Sequence, residues 1–141
     1  MPQVRDIMSH DPETISPEET LQRAAQIMLD LDIGALPVCD GKRVVGMVTD
    51  RDIAVRGVAA GLAPDQGCVS DVMTPEVECV SPDQDAEEVM QLMGDAQVRR
   101  LPVVNEDDEI IGIVSLGDLA TRQDGHTDEA LREISEPGGN S

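Results

Sequence analysis

The chain of 141 residues contains no Phe, Tyr or Trp. Its core must therefore be built from Val, Ile, Leu, Met and Ala, and the ring platform on which single-stranded nucleic acid stacks is missing. Lysine occurs once, at Lys42, and Lys and Arg together number 10 against 29 Asp and Glu, a formal net charge of −19. Phosphate backbones are held by clustered cations, so DNA and RNA are not expected partners. The acidity reads as a well-solvated surface, one that also suits a high-salt host. No apolar run approaches the roughly 20 residues of a membrane span. The N-terminus lacks a basic stretch followed by an apolar one, so no secretory signal is expected. Cys39, Cys68 and Cys79 form no CxxC pair and leave an odd count, which points to unpaired thiols in a reducing cytoplasm. His10 and His126 have no ligand spacing, so a metal site is not expected.

What is present is a repeat. Val4-Arg5-Asp6-Ile7-Met8-Ser9 matches Val69-Ser70-Asp71-Val72-Met73-Thr74, Ser16-Pro17 matches Ser81-Pro82, and Leu36-Pro37-Val38 matches Leu101-Pro102-Val103. Self-similarity of this kind precedes every other reading of a chain. The repeats are residues 1–61 and 69–123, joined by a linker at 62–68 that carries Pro64 and Gly67. Residues 124–141 have no counterpart and read as a tail with a short helix near Asp128 to Ile134, then a disordered Pro-Gly-Gly-Asn-Ser end. Each repeat is too small to bury its own apolar faces, so the two are expected to pack about a pseudo-twofold axis.

Within a repeat the order is β-α-β-β-α, an α+β architecture. Glu13-Thr14-Ile15 and Val77 to Val80 read as short strands. Ser16-Pro17-Glu18-Glu19 and Ser81-Pro82-Asp83-Gln84 read as helix starts, with Ser as the cap, Pro at the first helical position and Glu or Gln closing a capping box. Leu21, Ala24, Ala25, Met28 and Leu31 follow helical spacing, as do Ala86, Val89, Met90 and Met93, and the methionines read as core. Gly34 should end the first helix. Two hairpins follow, Ala35–Cys39 with Val44–Thr49 and Leu101–Val104 with Ile110–Ser115, each handing over to a helix, Asp50 to Ala60 and Leu116 to about Arg122.

The two handovers, Gly46-Met47-Val48-Thr49-Asp50-Arg51-Asp52 and Gly112-Ile113-Val114-Ser115-Leu116-Gly117-Asp118, carry a hydroxyl followed three residues later by a carboxylate. Two readings stand side by side. The pair can be a capping box that needs no ligand. It can also be a site in which the hydroxyl and local N–H groups face a phosphate, while the carboxylate accepts both hydroxyls of a ribose, although spacing alone favours the capping box. Arg51, Arg99 and Arg100 stand out on so acidic a chain, either as phosphate partners or as partners of surface acids. No Ser-His-Asp set, metal cluster or phosphate-binding glycine loop is present, so an enzyme is not expected. Cys39 and Cys79 lie in strand-like runs and read as inert buried thiols; Cys68 reads as exposed.

The doubled unit, with its Asp-Ile-Met and Asp-Val-Met openings, Leu-Pro-Val strands and Gly-x-x-[Thr/Ser]-x-x-Asp handovers, resembles the cystathionine β-synthase (CBS) domain over about residues 4–122. A tandem pair of these is called a Bateman module. Thr-Asp-Arg-Asp-Ile at 49–53 and Gln-Val-Arg-Arg-Leu-Pro-Val at 97–103 are similar to stand-alone bacterial and archaeal CBS-pair proteins, including the hypoxic-response type. The resemblance implies a cleft between the repeats that binds adenosine nucleotides (AMP, ADP or ATP), and sometimes S-adenosylmethionine. It implies Asp52 and Asp118 on ribose, and Thr49 and Ser115 on phosphate or ribose. It further implies Thr14, Ile15, Leu36, Pro37, Cys79, Val80, Leu101 and Pro102 around adenine. The chain's own Arg51 in the first handover, against Gly117 in the second, and Arg99 and Arg100, against Gly34 and Ala35, make the two sites unequal, and one is expected to bind nucleotide better. The resemblance also implies a homodimer and a regulated protein partner of unknown identity. A CBS pair that has lost its ligand and serves as an interaction protein is the alternative.

Overall fold

A computed structural model describes residues 2–123 and divides the chain into two compact units. In chain order the elements are a 3-10 turn (Val4–Asp6), β1 (Ser9–His10), α1 (Leu21–Leu31), β2 (Ala35–Asp40), β3 (Arg43–Thr49) and a π-helical segment (Asp52–Gly57). There follow α2 (Val69–Val72), β4 (Thr74–Pro75), α3 (Ala86–Ala96), β5 (Arg100–Val104), β6 (Ile110–Ser115) and α4 (Leu116–Gln123). This is the mixed α+β architecture read from the sequence. The short helix expected near residues 128–134 lies outside the described residues, as does His126.

Of the described residues, one unit takes 13–77 and the other takes 2–12 together with 78–123. The compact units are thus not the contiguous stretches 1–61 and 69–123. The opening segment of each repeat docks on the sheet of the other. β4 pairs with β3, Gly46 opposite Pro75 and Met47 opposite Thr74, to give the sheet β2-β3-β4. β1 pairs with β6, Ser9 opposite Ile113 and His10 opposite Gly112, to give β1-β6-β5. Each docked segment satisfies the outer edge of a hairpin strand that would otherwise present unpaired backbone groups.

That docking displaces the helix starts. The Val69 and Ser70 N–H groups donate to the carbonyls of Glu19 and Pro17 at 2.8 and 2.9 Å, and Val4 and Arg5 donate to Gln84 and Pro82 at 2.9 Å each. The Leu21, Gln22 and Ala86 N–H groups, which a helix begun at Ser16 or Ser81 would turn inward, donate instead to Gly67, Pro64 and Pro2. The caps are therefore Thr20, whose hydroxyl accepts from the Arg23 N–H at 3.1 Å, and Asp85, whose carboxylate accepts from the Glu87 N–H at 3.4 Å. Ser16 and Ser81, read as caps from the sequence, instead head turns one step upstream, with Ser16 Oγ accepting from Glu18 and the Ser81 N–H donating to Gln84.

The strands expected at 13–15 and 77–80 reduce to single bridges. Ile15 lies parallel to Val38, and Val80 parallel to Val103. α1 ends at a left-handed Asp32 (φ 55°), two residues before the expected Gly34, and α3 ends at a left-handed Gln97 (φ 57°). The linker is not loose: Leu21 donates to Gly67 and Gln22 to Pro64, and Cys68 bridges Thr20.

Each unit has its own core. Ile15, Leu21, Ala24, Met28, Leu36, Val38, Val48, Val69 and Val72 form one, and Val4, Ile7, Val80, Val89, Met93, Leu101, Val103, Val114 and Leu119 form the other. The methionine stripes are core, as Met28 and Met93 show. Among the described residues no polar or charged side chain is buried. No helix among them is long and apolar enough to cross a membrane.

Candidate functional site

The glycines of the two handover motifs are fixed by packing. A Cβ at Gly46 would lie 2.6 Å from the Thr74 carbonyl and 2.9 Å from the Met73 sulfur. A Cβ at Gly112 would lie 2.7 Å from the Met8 sulfur and 2.8 Å from the Ser9 carbonyl. Both glycines let the docked segment reach the hairpin, so they mark a close backbone approach.

Three residues beyond each glycine the strand gives way to a helix. Thr49 stands opposite Ala35, and Ser115 opposite Arg100, so each hydroxyl lies across from the start of a Leu-Pro strand. The Asp50 N–H donates to the Gly34 carbonyl at 3.0 Å, and the Leu116 N–H to the Arg99 carbonyl at 2.8 Å, which pins both turns alike. Ile15 donates to Pro37 and Val80 to Pro102, at 3.0 Å each. One unit thus gathers Thr14, Ile15, Leu36, Pro37, Thr49 and Asp52. The other gathers Cys79, Val80, Arg100, Leu101, Pro102, Ser115 and Asp118.

The side chains fall into two groups by exposure. Leu36, Val80, Leu101 and Ile15 are core, as are the rings of Pro37 and Pro102. Thr14, Cys79, Thr49, Asp52, Ser115, Asp118 and Arg100 are half-buried, while Arg51 and Arg99 are exposed. What the half-buried ones offer is hydroxyl, carboxylate, thiol and guanidinium at the margin of an apolar core. Burial, and then the nearby carboxylates of Asp108 and Glu78, push the Cys79 thiol above its ordinary range, so it stays protonated and unreactive near neutrality.

The handovers differ in their hydrogen bonds. At the first, the Asp52 N–H donates to Thr49 Oγ1 and the Thr49 N–H donates to Asp52 Oδ2, both at 3.0 Å, a complete capping box. At the second, the Asp118 N–H donates to Ser115 Oγ at 3.1 Å. Arg56, an exposed residue that the sequence motifs do not single out, joins the first: its Nε lies 3.9 Å from Asp52 Oδ1, and its Nη1 donates to the Val72 carbonyl at 3.3 Å. The four-residue spacing of Asp52 and Arg56 on a helix was the signal that could have found it. Among the described residues no group of three or more His, Cys, Asp or Glu is placed to hold a metal ion.

Comparison with known proteins bears on this arrangement. The family model for the CBS domain matches residues 4–57 and 69–125. The chain is 43% identical over 123 residues to the CBS domain-containing protein YhcV of Bacillus subtilis, covering 87% of this chain and 86% of that protein. It is 40% identical over 121 residues to hypoxic response protein 1 of Mycobacterium tuberculosis, covering 85% and 84%. A crystal structure of Hypoxic Response Protein I with two coordinated zinc ions superposes with a TM-score of 0.80 at 39% identity, over 86% of this chain and 99% of that one. The CBS domain pair of protein MJ0100, in complex with 5'-methylthioadenosine and S-adenosyl-L-methionine, gives a TM-score of 0.75 at 28% identity, over 84% and 93%.

Proposed function

The chain belongs to the CBS-domain family as a tandem pair, and from that premise we propose that it is a regulatory module that binds an adenosine nucleotide at its strand–helix handovers. The nucleotide is AMP, ADP or ATP. The bound ligand biases the conformation of the module, a protein partner reads the change, and the module acts as a homodimer without catalysing a reaction.

The observation that carries this reading is the recurrence, in both units, of a half-buried hydroxyl and carboxylate opposite the start of a Leu-Pro strand. A carboxylate has two acceptor oxygens, which match the vicinal hydroxyls of a ribose. Methylthioadenosine and S-adenosylmethionine, bound by the MJ0100 pair, share that ribose and adenine with AMP. Arg51, Arg99 and Arg100 supply the cations that a phosphate adds to the requirement. The second reading, an interaction protein without a ligand, is favoured by one feature: the Thr49–Asp52 pair is already satisfied by its own capping box.

Thermal unfolding against AMP, ATP and S-adenosylmethionine decides between them. A specific binder is stabilised by about 2.7 kcal/mol at a ligand concentration a hundredfold above Kd, which raises Tm by several degrees. The Asp52→Ala/Asp118→Ala double variant should lose that shift. An unmoved Tm with every adenine ligand supports the second reading.

A further inference from the structure

Resting on the nucleotide reading, we propose that Arg56 is a latch: it ties the carboxylate that would hold the sugar to the segment docked on the hairpin, and it lets go when the sugar binds. Three contacts carry this. The Asp52 carboxylate receives the Thr49 N–H on Oδ2 and the Arg56 guanidinium on Oδ1. The same guanidinium donates to the carbonyl of Val72, the last residue of α2. Val72 leads directly into Met73, whose sulfur faces Gly46, and then into β4, whose Thr74 and Pro75 pair with Met47 and Gly46. One side chain therefore spans from the carboxylate that would hold the sugar to the stretch through which the chain leaves the unit of residues 13–77.

The contact has the strength a latch needs. Arg56 is 55% exposed and Asp52 15% exposed, at a separation of 3.9 Å, so the pair is partly screened by water. Such pairs change an equilibrium by less than about tenfold, enough to weigh against a ligand but not to exclude it. A diol bonded to both carboxylate oxygens competes with the guanidinium for the charge at Oδ1, as it does with the Thr49 N–H at Oδ2. Freed from Asp52, Arg56 loses the anchor that aims it at Val72, and the 69–75 segment is held less firmly. Occupancy of the Thr49–Asp52 handover is thereby converted into a change in the docked segment, within one unit. A role of Arg56 as a direct phosphate contact makes the opposite prediction for affinity.

The test uses the full chain carrying Asp118→Ala, so that only the Asp52 handover counts, titrated with AMP by calorimetry. Replacing Arg56 by Gln should tighten AMP binding about two- to fivefold, because the competitor is gone, and the difference should shrink as salt is added. Arg56→Lys keeps a charge beside Asp52 and should return affinity toward that of the Arg56 chain. Hydrogen exchange over residues 69–75 should quicken on adding AMP when Arg56 is present, and should be quick and unresponsive with Arg56→Gln. Unchanged or weaker AMP binding by Arg56→Gln, or AMP slowing exchange over 69–75, overturns the latch alone. If the Asp118→Ala chain binds no AMP with either side chain at position 56, the nucleotide reading of this handover fails and takes the latch with it.

Discussion

The two units are built on one plan and trimmed differently. Both seat a docked segment against a motif glycine, bridge one residue in parallel to the hairpin, and end the long helix on a left-handed residue. Where they diverge is the handover. The unit of residues 13–77 completes its capping box, adds Arg56 to it and continues as a π-helical segment. The other forms the hydroxyl half of the box, continues as regular α4, and has Arg99 and Arg100 where the first has Gly34 and Ala35. What the units share is enforced by packing, where a change of one methylene is felt. What they do not share lies at the margin of the core, where side chains are free to differ and where a ligand could tell the two apart.

The largest test of the shared plan is at the glycines. Gly46→Ala drives a methyl to 2.6 Å from the Thr74 carbonyl, a backbone atom that cannot swing aside. Gly112→Ala meets the Met8 sulfur at 2.7 Å, which can move, and the Ser9 carbonyl at 2.8 Å, a backbone atom like that of Thr74. Urea unfolding should show a loss of about 2–3 kcal/mol at each position, with Gly46→Ala the larger because its carbonyl is nearer. A markedly smaller cost at Gly112 would show that the Ser9 carbonyl gives way. Negligible costs at both would mean that the docked segments are not held at this distance.

The helix caps sharpen the comparison at a smaller scale. Thr20 caps α1 with a neutral hydroxyl at 3.1 Å, whereas Asp85 caps α3 with a carboxylate at 3.4 Å. Replacing either by Ala should cost about 1 kcal/mol. The routes differ: the longer bond of Asp85 is offset by the attraction of its charge for the positive helix end, which salt screens. Unfolding in 1 M NaCl should therefore shrink the Asp85→Ala penalty and leave the Thr20→Ala penalty as it was. Identical salt responses would show that charge contributes nothing at Asp85.

How much of this could be read from residues alone depends on whether the determinant was local. The hairpins were legible, because apolar runs ending in Thr49 and Ser115 and the Asp40-Gly41 turn are local signals, and they form within a residue or two of where expected. The helix starts were misplaced by a step because Ser16-Pro17 and Ser81-Pro82 are genuine turn signals, while the Leu21, Gln22 and Ala86 N–H groups donate to Gly67, Pro64 and Pro2, far off in sequence. The same long-range docking hid β1 and β4, each only two residues long and neither apolar enough to stand out. The hydroxyl–carboxylate handover was legible as a pattern because the chain states it twice. The Asp52–Arg56 half of the Arg56 contacts was legible as a four-residue spacing, whereas the Val72 half comes near only once α2 is docked.

The smallest effect concerns the two helix ends, and it runs toward stability. Asp32 and Gln97 both adopt φ near +55°, where a side chain crowds the following carbonyl and glycine does not. Asp tolerates that region through its short polar side chain, whereas Gln has no such local compensation. Glycine at these positions also frees the unfolded chain, which takes back part of the gain. The balance should leave Gln97→Gly more stable by about 0.5 kcal/mol and Asp32→Gly within a few tenths of the parent. Denaturation midpoints at constant m-value read both. Equal gains would mean that the aspartate is as strained as the glutamine. A loss at Gln97 would mean that its side chain, at the turn leading into Arg99 and Arg100, does something beyond ending a helix.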